Sequence, residues 1–250
     1  ENNFSDCMPC IIHKDGYSSD IAMFNQYFSY SGPDSLFLSS DDEAVLSFYL
    51  KLGSSESIIK TITISGNSYF SNHSYQFDGV DFNYADSFEL AWVGGLLPTE
   101  KLENEDIQNA SFVARLGDEY EKFYYTNADK VEYNSVSGQT SWVGIKNKYF
   151  FISLLPDRNG NSASHSYENF SFSNRKITPL YNAYVSFPAN NDFSISTKLF
   201  LGPLDYNTLS KENVGLENAI SFGWTIIHPF SKGILFVLTF FKKYINNYGL

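Results

Sequence analysis

Residues 193–201 read FSISTKLFL, the clearest alternation of apolar and polar side chains in the sequence. The odd-numbered positions are apolar or Thr, and the even-numbered positions, apart from Phe200, are Ser or Lys. A period of two places successive side chains on opposite faces of a β-strand. The stretch therefore predicts an antiparallel strand with one buried face and one face in water.

Comparable runs, rich in β-branched and aromatic residues, extend from this strand back to about Leu36. They are residues 57–64, 69–77, 87–93, 112–116, 120–125, 130–133 and 142–154. About a dozen strands in roughly 200 residues, with almost no helical periodicity, predict a large all-β sandwich. Irregular spacing and the lack of an internal repeat disfavour a propeller or a solenoid. The Asn-, Ser- and Gly-rich stretch 157–174 is expected to be a mobile loop.

Composition and charge limit the possible functions. The chain has 250 residues, 43% of them hydrophobic and 18% aromatic, which indicates a globular protein and not a disordered one. The formal net charge is -11, and such a surface repels nucleic-acid phosphate. DNA and RNA are therefore excluded as general partners.

The last thirty residues differ in charge and period from the rest. Residues 221–250 contain Lys232, Lys242 and Lys243 and no acidic residue, so residues 1–220 carry a net charge of -14. A broad apolar side and a narrow lysine-bearing side recur with a helical period from Trp224 onward, although the segment is too interrupted to span a membrane. It predicts an amphipathic helix in the plane of a membrane interface, or one packed on the sandwich.

These changes suggest three parts. Residues 1–204 are expected to form the β-domain, and residues 205–223 a linker that contains a short helix with Asp205 as its N-cap. Residues 224–250 are expected to form the amphipathic helix. Its predicted membrane-interface residues are Trp224, Phe230, Lys232, Ile234, Val237, Phe241, Lys242, Lys243 and Tyr248.

The two cysteines form a C-x-x-C pair, Cys7 and Cys10. Redox centres of this spacing open a helix, whereas Cys10 leads into the strand-like run 10–14, so a local disulfide or two unreactive thiols is the simpler interpretation. His13 could add a third metal ligand, but no fourth lies nearby in the sequence. We predict no metal and no cofactor. The first residues also show no signal-peptide pattern.

Four blocks of the sequence carry distinctive motifs: Trp92–Glu100 (W-x-x-G-L-x-x-T-E), Trp142–Phe150 (W-x-x-x-K-x-K-Y-F), Leu201–Trp224 (L-G-P-x-D-Y, then G-L-E-x-x-I-x-F-G-W) and the tail 240–250 with its N-Y-G. Together they resemble the YidC family of bacterial membrane-protein insertases, in which they occur in the same order. Residues 1–35 do not align with the family's first hairpin.

The resemblance implies a fold, a place and partners. The fold is a twisted β-supersandwich like that of galactose mutarotases, followed by the interfacial helix, at the periplasmic face of the bacterial inner membrane. The membrane-embedded insertase core lies outside these residues. The expected role is a non-enzymatic scaffold that contacts SecD, SecF, nascent membrane proteins and the bilayer surface.

Two alternatives remain. A mutarotase-like sandwich could house sugar epimerisation or lyase chemistry with a His acid and a Glu base. Of the four histidines, His165 falls in the presumed loop and His228 in the tail, which leaves His13 and His73 as candidates. Neither has a carboxylate at a sequence spacing that would indicate an acid–base pair. The other alternative is carbohydrate or peptide binding in the sandwich cleft, with tyrosines as stacking platforms.

Overall fold

The computed structural model describes residues 9–14, 21–22, 26–80, 87–97, 108–126, 130–171, 177–188, 194–220 and 233–234. Contacts divide the chain into two compact units, Glu1–Leu204 and Asp205–Leu250. The predicted amphipathic helix 224–250 lies outside the described residues, apart from two positions in its middle.

Fourteen strands make up the described part of the first unit, and they belong to one continuous antiparallel sheet. They are β1 Cys10–Lys14, β2 Ile21–Ala22, β3 Ser29–Tyr30, β4 Glu43–Lys51, β5 Ser57–Ser65, β6 Phe70–Asp78, β7 Ser87–Trp92, β8 Ser111–Leu116, β9 Glu119–Tyr124, β10 Lys130–Lys146, β11 Phe150–Pro156, β12 Gly160–Ser171, β13 Ile177–Pro188 and β14 Ser194–Pro203. The hydrogen-bonded order is β2-β1-β7-β13-β12-β10-β11-β14-β6-β5-β4-β3, and β8 and β9 continue from β10.

The sheet folds over so that its two halves face each other. Phe77 of β6 and Phe88 of β7 have ring centroids 5.5 Å apart, although these strands are far apart in the hydrogen-bonded order. Phe112 of β8 likewise stacks on His165 of β12 at 4.9 Å. One apolar core contains side chains from both halves. The predicted all-β sandwich is confirmed.

Strand β10 joins the two halves. Its 17 residues pair with β12 through residues 130–140, with β8 through residues 140–146 and with β11 through residues 143–146. The register shifts near residues 131–134, 137–140 and 140–142. Irregularities of this kind bend a strand and increase its twist, which allows one strand to serve both layers.

The strand predicted from the alternating residues 193–201 is present as β14, Ser194–Pro203. Ile195, Thr197 and Leu199 are buried, and the intervening Ser196 and Lys198 are exposed. The alternation ends there, since Phe200 is buried and Leu201 is 50% exposed. The strand lies between β11 and β6, with Leu199 opposite Leu154 and Ser71. Burial of one face by both neighbours explains the strong alternation in the sequence.

Two expectations about local structure were wrong. The run 142–154 is not one strand, because Asn147 ends β10: its Oδ1 accepts hydrogen bonds from the Tyr149 and Phe150 backbone amides at 3.0 and 2.7 Å. The presumed loop 157–174 contains β12. Ala163, Ser164, His165 and Tyr167 are buried there, and the high Asn and Ser content of the stretch concealed the strand.

The second unit begins with the predicted short helix α1, Tyr206–Ser210. Asp205 is its N-cap, since the Asp205 Oδ2 accepts a hydrogen bond from the Thr208 backbone amide at 2.8 Å. A 3-10 helix, Leu216–Ala219, follows Gly215, which adopts φ of 82°. Among the described residues, no helix is long and apolar enough to cross a membrane.

Candidate functional site

The predicted membrane-interface residues are almost all outside the described part of the chain. Trp224, Phe230, Lys232, Val237, Phe241, Lys242, Lys243 and Tyr248 belong to that undescribed set. Ile234 alone is described, and its side chain is 60% exposed. An exposed Ile is compatible with an apolar contact surface, but the interface itself stays a prediction.

The candidate histidines lack the surroundings of an acid–base centre. His73 is buried, its Nε2 lies 2.8 Å from the Ser71 Oγ, and burial followed by repulsion from Lys60 lowers its pKa to about 4. His165 is enclosed by Phe112 and Phe123, and burial lowers its pKa to about 4 as well. His13 stacks on Phe88 at 5.0 Å. These contacts are those of core side chains.

Cys10 begins β1 and is fully buried. The carbonyl of the preceding Pro9 accepts hydrogen bonds from the buried Lys60 Nζ, at 3.0 Å, and from the Tyr75 hydroxyl. The described end of the C-x-x-C pair is therefore fixed against β5 and β6. The strand expected after Cys10 is confirmed.

A buried carboxylate lies on the face of β7 opposite the core. Glu89 is only 2% exposed, and its Oε1 accepts hydrogen bonds from the Tyr133 hydroxyl, from the Lys14 Nζ at 2.9 Å and from the Ser186 Oγ at 3.2 Å. The Lys14 ammonium also lies 4.5 Å from the centre of the Tyr133 ring. We call these four residues the Glu89 cluster.

The Glu89 cluster is an internally satisfied network. Burial, followed by the hydrogen bond to Glu89, raises the pKa of the Tyr133 hydroxyl, so that this group stays protonated at neutral pH and donates to the carboxylate. With three donors on one oxygen, the carboxylate is stabilised as an ion pair. The arrangement connects β1, β7, β10 and β13, which suits a structural role.

A second polar cluster lies inside the sandwich, and we call it the tyrosine cluster: Tyr125, Tyr167 and Tyr181. The Tyr167 and Tyr181 rings are 4.9 Å apart, and the Tyr125 and Tyr167 rings are 5.7 Å apart. The Tyr181 hydroxyl is buried and makes no hydrogen bond, and burial raises its pKa. A buried hydroxyl without a hydrogen bond destabilises the folded state by about 1–3 kcal/mol, so a ligand that accepted a hydrogen bond from this group would be favoured.

The exposed apolar side chains are concentrated at one edge of the sheet. Between residues 27 and 52, seven large apolar side chains are exposed, and we call them the edge strip: Tyr27, Tyr30, Leu36, Phe37, Val45, Tyr49 and Leu52. Tyr27 and Phe37 are each 96% exposed. Clusters of exposed apolar side chains mark interaction sites.

A smaller exposed group lies at the β10–β11 turn. Tyr149 and Phe150 are exposed, and the Lys148 Nζ lies 5.0 Å from the centre of the Tyr149 ring. The Leu204 backbone amide donates a hydrogen bond to the Tyr149 carbonyl at 2.7 Å. This turn, residues 147–150, is therefore adjacent to the last residue of the first unit.

Neither exposed group was found from the sequence. The motif match drew attention to residues 142–150 only as a family block, and no contact surface was predicted in residues 27–52. One signal was available for the edge strip. Leu36 and Phe37 follow Gly32, Pro33 and Asp34, and apolar residues inside a turn-forming segment have no alternation that would bury them.

Fold and surfaces together define an all-β sandwich domain with two groups of exposed apolar side chains. Within the described ranges, no group of three or more His, Cys, Asp or Glu could hold a metal ion. The chain belongs to the YidC periplasmic domain family, whose family model matches residues 12–236. The resemblance drawn from the four sequence blocks is thereby confirmed.

Two relatives illustrate the match, and both are named membrane protein insertase YidC. The protein of Chlorobaculum tepidum is 31% identical over 215 residues, covering 82% of this chain and 35% of the relative. That of Chlorobium luteolum is 30% identical over 236 residues, covering 90% of this chain and 39% of the relative. This chain therefore spans little more than a third of their length. Insertase is a non-enzymatic function, so the family supports the expectation of no enzymatic activity.

Solved structures show more distant likenesses. A GH36 alpha-galactosidase from Geobacillus stearothermophilus has a TM-score of 0.41 at 9% identity, with 82% of this chain and 32% of that chain covered. A heparinase III has a TM-score of 0.35 at 12% identity, with 67% and 20% covered. Likeness at this level carries no information about sugar chemistry in this chain.

Proposed function

We propose that this chain is the large periplasmic domain of a membrane protein insertase, where it serves as a scaffold for the insertion, folding and assembly of inner-membrane proteins, alone or with the Sec translocon. The observation that carries the proposal is the family match over residues 12–236. The domain acts by binding, and the insertase core belongs to other parts of the protein. The gene is expected to encode one membrane helix before these residues and five after them.

The membrane-facing end is the one that carries residues 147–150 and leads into the second unit. Tyr149 and Phe150 are exposed there next to Lys148. Aromatic rings beside a lysine suit the boundary between headgroups and acyl chains. The basic, apolar segment 224–250 is proposed to bind the membrane interface at the periplasmic face.

Liposome binding tests the membrane contact. The chain should sediment with vesicles that contain anionic phosphatidylglycerol, and truncation after Phe222 should abolish this association. Changing Lys232, Lys242 and Lys243 together to Glu should weaken binding, most strongly at low salt, because the attraction is screened by ions. Equal binding by the truncated and intact chains would contradict the proposed membrane contact.

Partner binding tests the scaffold role. The intact chain, fixed through an affinity tag, should retain purified SecD and SecF, whereas an unrelated periplasmic β-sandwich of similar charge should not. Cross-linking from surface positions would then identify the contact face. Failure to retain either protein would remove the Sec contact from the proposal.

A second candidate function is carbohydrate or peptide binding in the sandwich cleft, and the tyrosine cluster favours it. The Tyr167 and Tyr181 rings are buried 4.9 Å apart, and among the described residues the Tyr181 hydroxyl lacks a hydrogen-bond partner that a ligand atom could supply. A glycan and peptide array probed with the intact chain and with the variant Tyr181→Phe tests this role. Binding that is indifferent to Tyr181→Phe would count against this cluster as the site.

A further inference from the structure

The edge strip combines an incompletely paired strand with exposed apolar side chains. β4 pairs with β5 over all nine of its residues, from Glu43 to Lys51. On its other side, β3 contributes only two pairs, Ser29 with Tyr49 and Tyr30 with Phe48. In the described chain, residues 43–47 of β4 therefore have a strand partner on one side only.

The segment that follows β3 does not complete the pairing. Among the described residues, residues 31–38 form no backbone hydrogen bond to β4. Pro33 lacks an amide hydrogen, and the Pro33 carbonyl is held by the Tyr30 hydroxyl at 3.4 Å. Leu36 and Phe37, in the connection between β3 and β4, are exposed. An unpaired strand edge accepts an added strand from another polypeptide.

Charge around the edge strip selects the type of polypeptide. Residues 27–56 contain five carboxylates, Asp34, Asp41, Asp42, Glu43 and Glu56, and one ammonium, Lys51. Such an edge attracts basic groups and repels an anionic bilayer surface. Its charge therefore disfavours lipid as the occupant and favours a cationic protein segment.

We propose that the edge strip binds an extended segment of another polypeptide, with apolar side chains at alternate positions and Lys or Arg on its flanks. The segment pairs with the free side of β4, its apolar side chains cover Phe37, Val45 and Tyr49, and its basic residues face the surrounding carboxylates. The inference rests on the proposed scaffold role and names the chemistry of the client that this domain would hold.

A labelled peptide tests the proposal with the intact 250-residue chain. The probe is Lys-Lys-Val-Thr-Phe-Thr-Val-Thr-Phe-Lys-Lys, and its matched control replaces the four lysines by Glu. Fluorescence anisotropy should show at least tenfold tighter binding of the lysine form, with a difference that shrinks as salt rises. Equal affinity for the two peptides would overturn the proposal.

Substitutions locate the site. Tyr27→Ser combined with Phe37→Ser should weaken binding at least tenfold, and Asp34→Lys combined with Asp41→Lys should reverse the preference between the two peptides. Leu97→Ser is the matched control, because Leu97 is also half-exposed but lies outside the edge strip, and it should leave the Kd unchanged. Circular dichroism should confirm that all variants stay folded. Loss of binding in Leu97→Ser alone would overturn the assignment.

The outcomes separate this inference from the proposed function. If neither peptide binds while anionic liposomes, SecD and SecF still do, the edge strip is not a client site and the scaffold role stands. If the lysine peptide binds through the edge strip while liposomes, SecD and SecF do not, the membrane and Sec contacts are removed from the proposed function and the edge-strip inference stands. A concentration-dependent dimer that Phe37→Ser abolishes would identify a second copy as the occupant and overturn the proposal.

Discussion

The middle of the sheet and its β3–β4 edge contain the same kinds of side chain in opposite environments. Phe88 of β7 is fully buried between His13 and Phe77, whereas Phe37 beside β4 is 96% exposed. Strands in the middle have neighbours on both sides and a facing layer, but β4 has a complete ladder on one side only. The apolar content of a segment thus does not reveal whether that segment supports the core or a contact surface.

The comparison also separates two contributions to free energy. Burial of a Phe side chain contributes about 1.5–3 kcal/mol to folding, and the edge strip forgoes this contribution at several positions. The domain tolerates this because the core is large, with buried side chains from both halves of the sheet. The unused apolar surface is then available for binding.

The strongest test of the comparison is Phe88→Ala. Removing this ring from the middle of the core leaves a cavity between the two layers, and the free energy of unfolding should fall by about 3–5 kcal/mol. Urea denaturation followed by tryptophan fluorescence measures the change. A loss below about 1 kcal/mol would show that Phe88 is not tightly packed in the core, and the contrast with the exposed Phe37 would disappear.

Acid should weaken the interior by a smaller amount. The pKa of His73 is about 4 in the folded chain, against 6.5 for an exposed histidine, so the unfolded chain binds more protons between these pH values and stability falls as the pH drops through this window. At about 1.4 kcal/mol per unit, the full loss for His73 is on the order of 3 kcal/mol. Urea denaturation at a series of pH values should show a flatter profile for His73→Gln. An identical profile would show that burial of His73 does not matter.

The Glu89 cluster should respond more weakly still. Tyr133→Phe removes one of the three donors to the Glu89 carboxylate while Lys14 and Ser186 remain, so the free energy of unfolding should fall by about 1 kcal/mol. The matched control is Tyr149→Phe, whose hydroxyl lies at the exposed turn. A loss of the same size in both variants would argue against a special role for the cluster.

The smallest expected effect belongs to Phe37→Ala, the same substitution as Phe88→Ala made at the edge strip. Because the ring is already in water, the free energy of unfolding should change by less than about 0.5 kcal/mol. Urea denaturation beside the Phe88 variant completes the comparison. Destabilisation by more than about 1 kcal/mol would show that Phe37 contributes to folding and is not simply an exposed side chain available to a partner.

Much of the fold was predictable, because a strand with one buried face shows an alternation of apolar and polar residues in the sequence. Residues 194–199 alternate between exposed and buried positions in a strand that lies between β11 and β6, and this alternation predicted β14. β12 was missed because its exposed positions are Ser and Asn and its buried positions include His165, whose burial depends on the facing Phe112 and Phe123. The edge strip was missed for the opposite reason, since exposed side chains leave no period.

The candidate site was less predictable because it depends on pairing between distant segments. Asp205 could be recognised as an N-cap from local chemistry alone. The Glu89 cluster needs β1, β7, β10 and β13 in one layer, and no sequence spacing encodes that arrangement. The free side of β4 follows from the shortness of β3, which only the ladder itself defines.

The sheet order has a consequence for how the domain is made. The β4, β5 and β6 ladders join near neighbours in the chain, so this meander can form before the rest of the domain is available. By contrast, Trp92 of β7 pairs with Ala183 of β13, and Gln76 of β6 pairs with Ser194 of β14. Such long-range closures are slow, and they cannot begin until the last strands have been delivered. The incomplete chain must therefore stay soluble before its two layers have packed together. During that time a meander that forms early exposes the aromatic side chains of the edge strip to solvent.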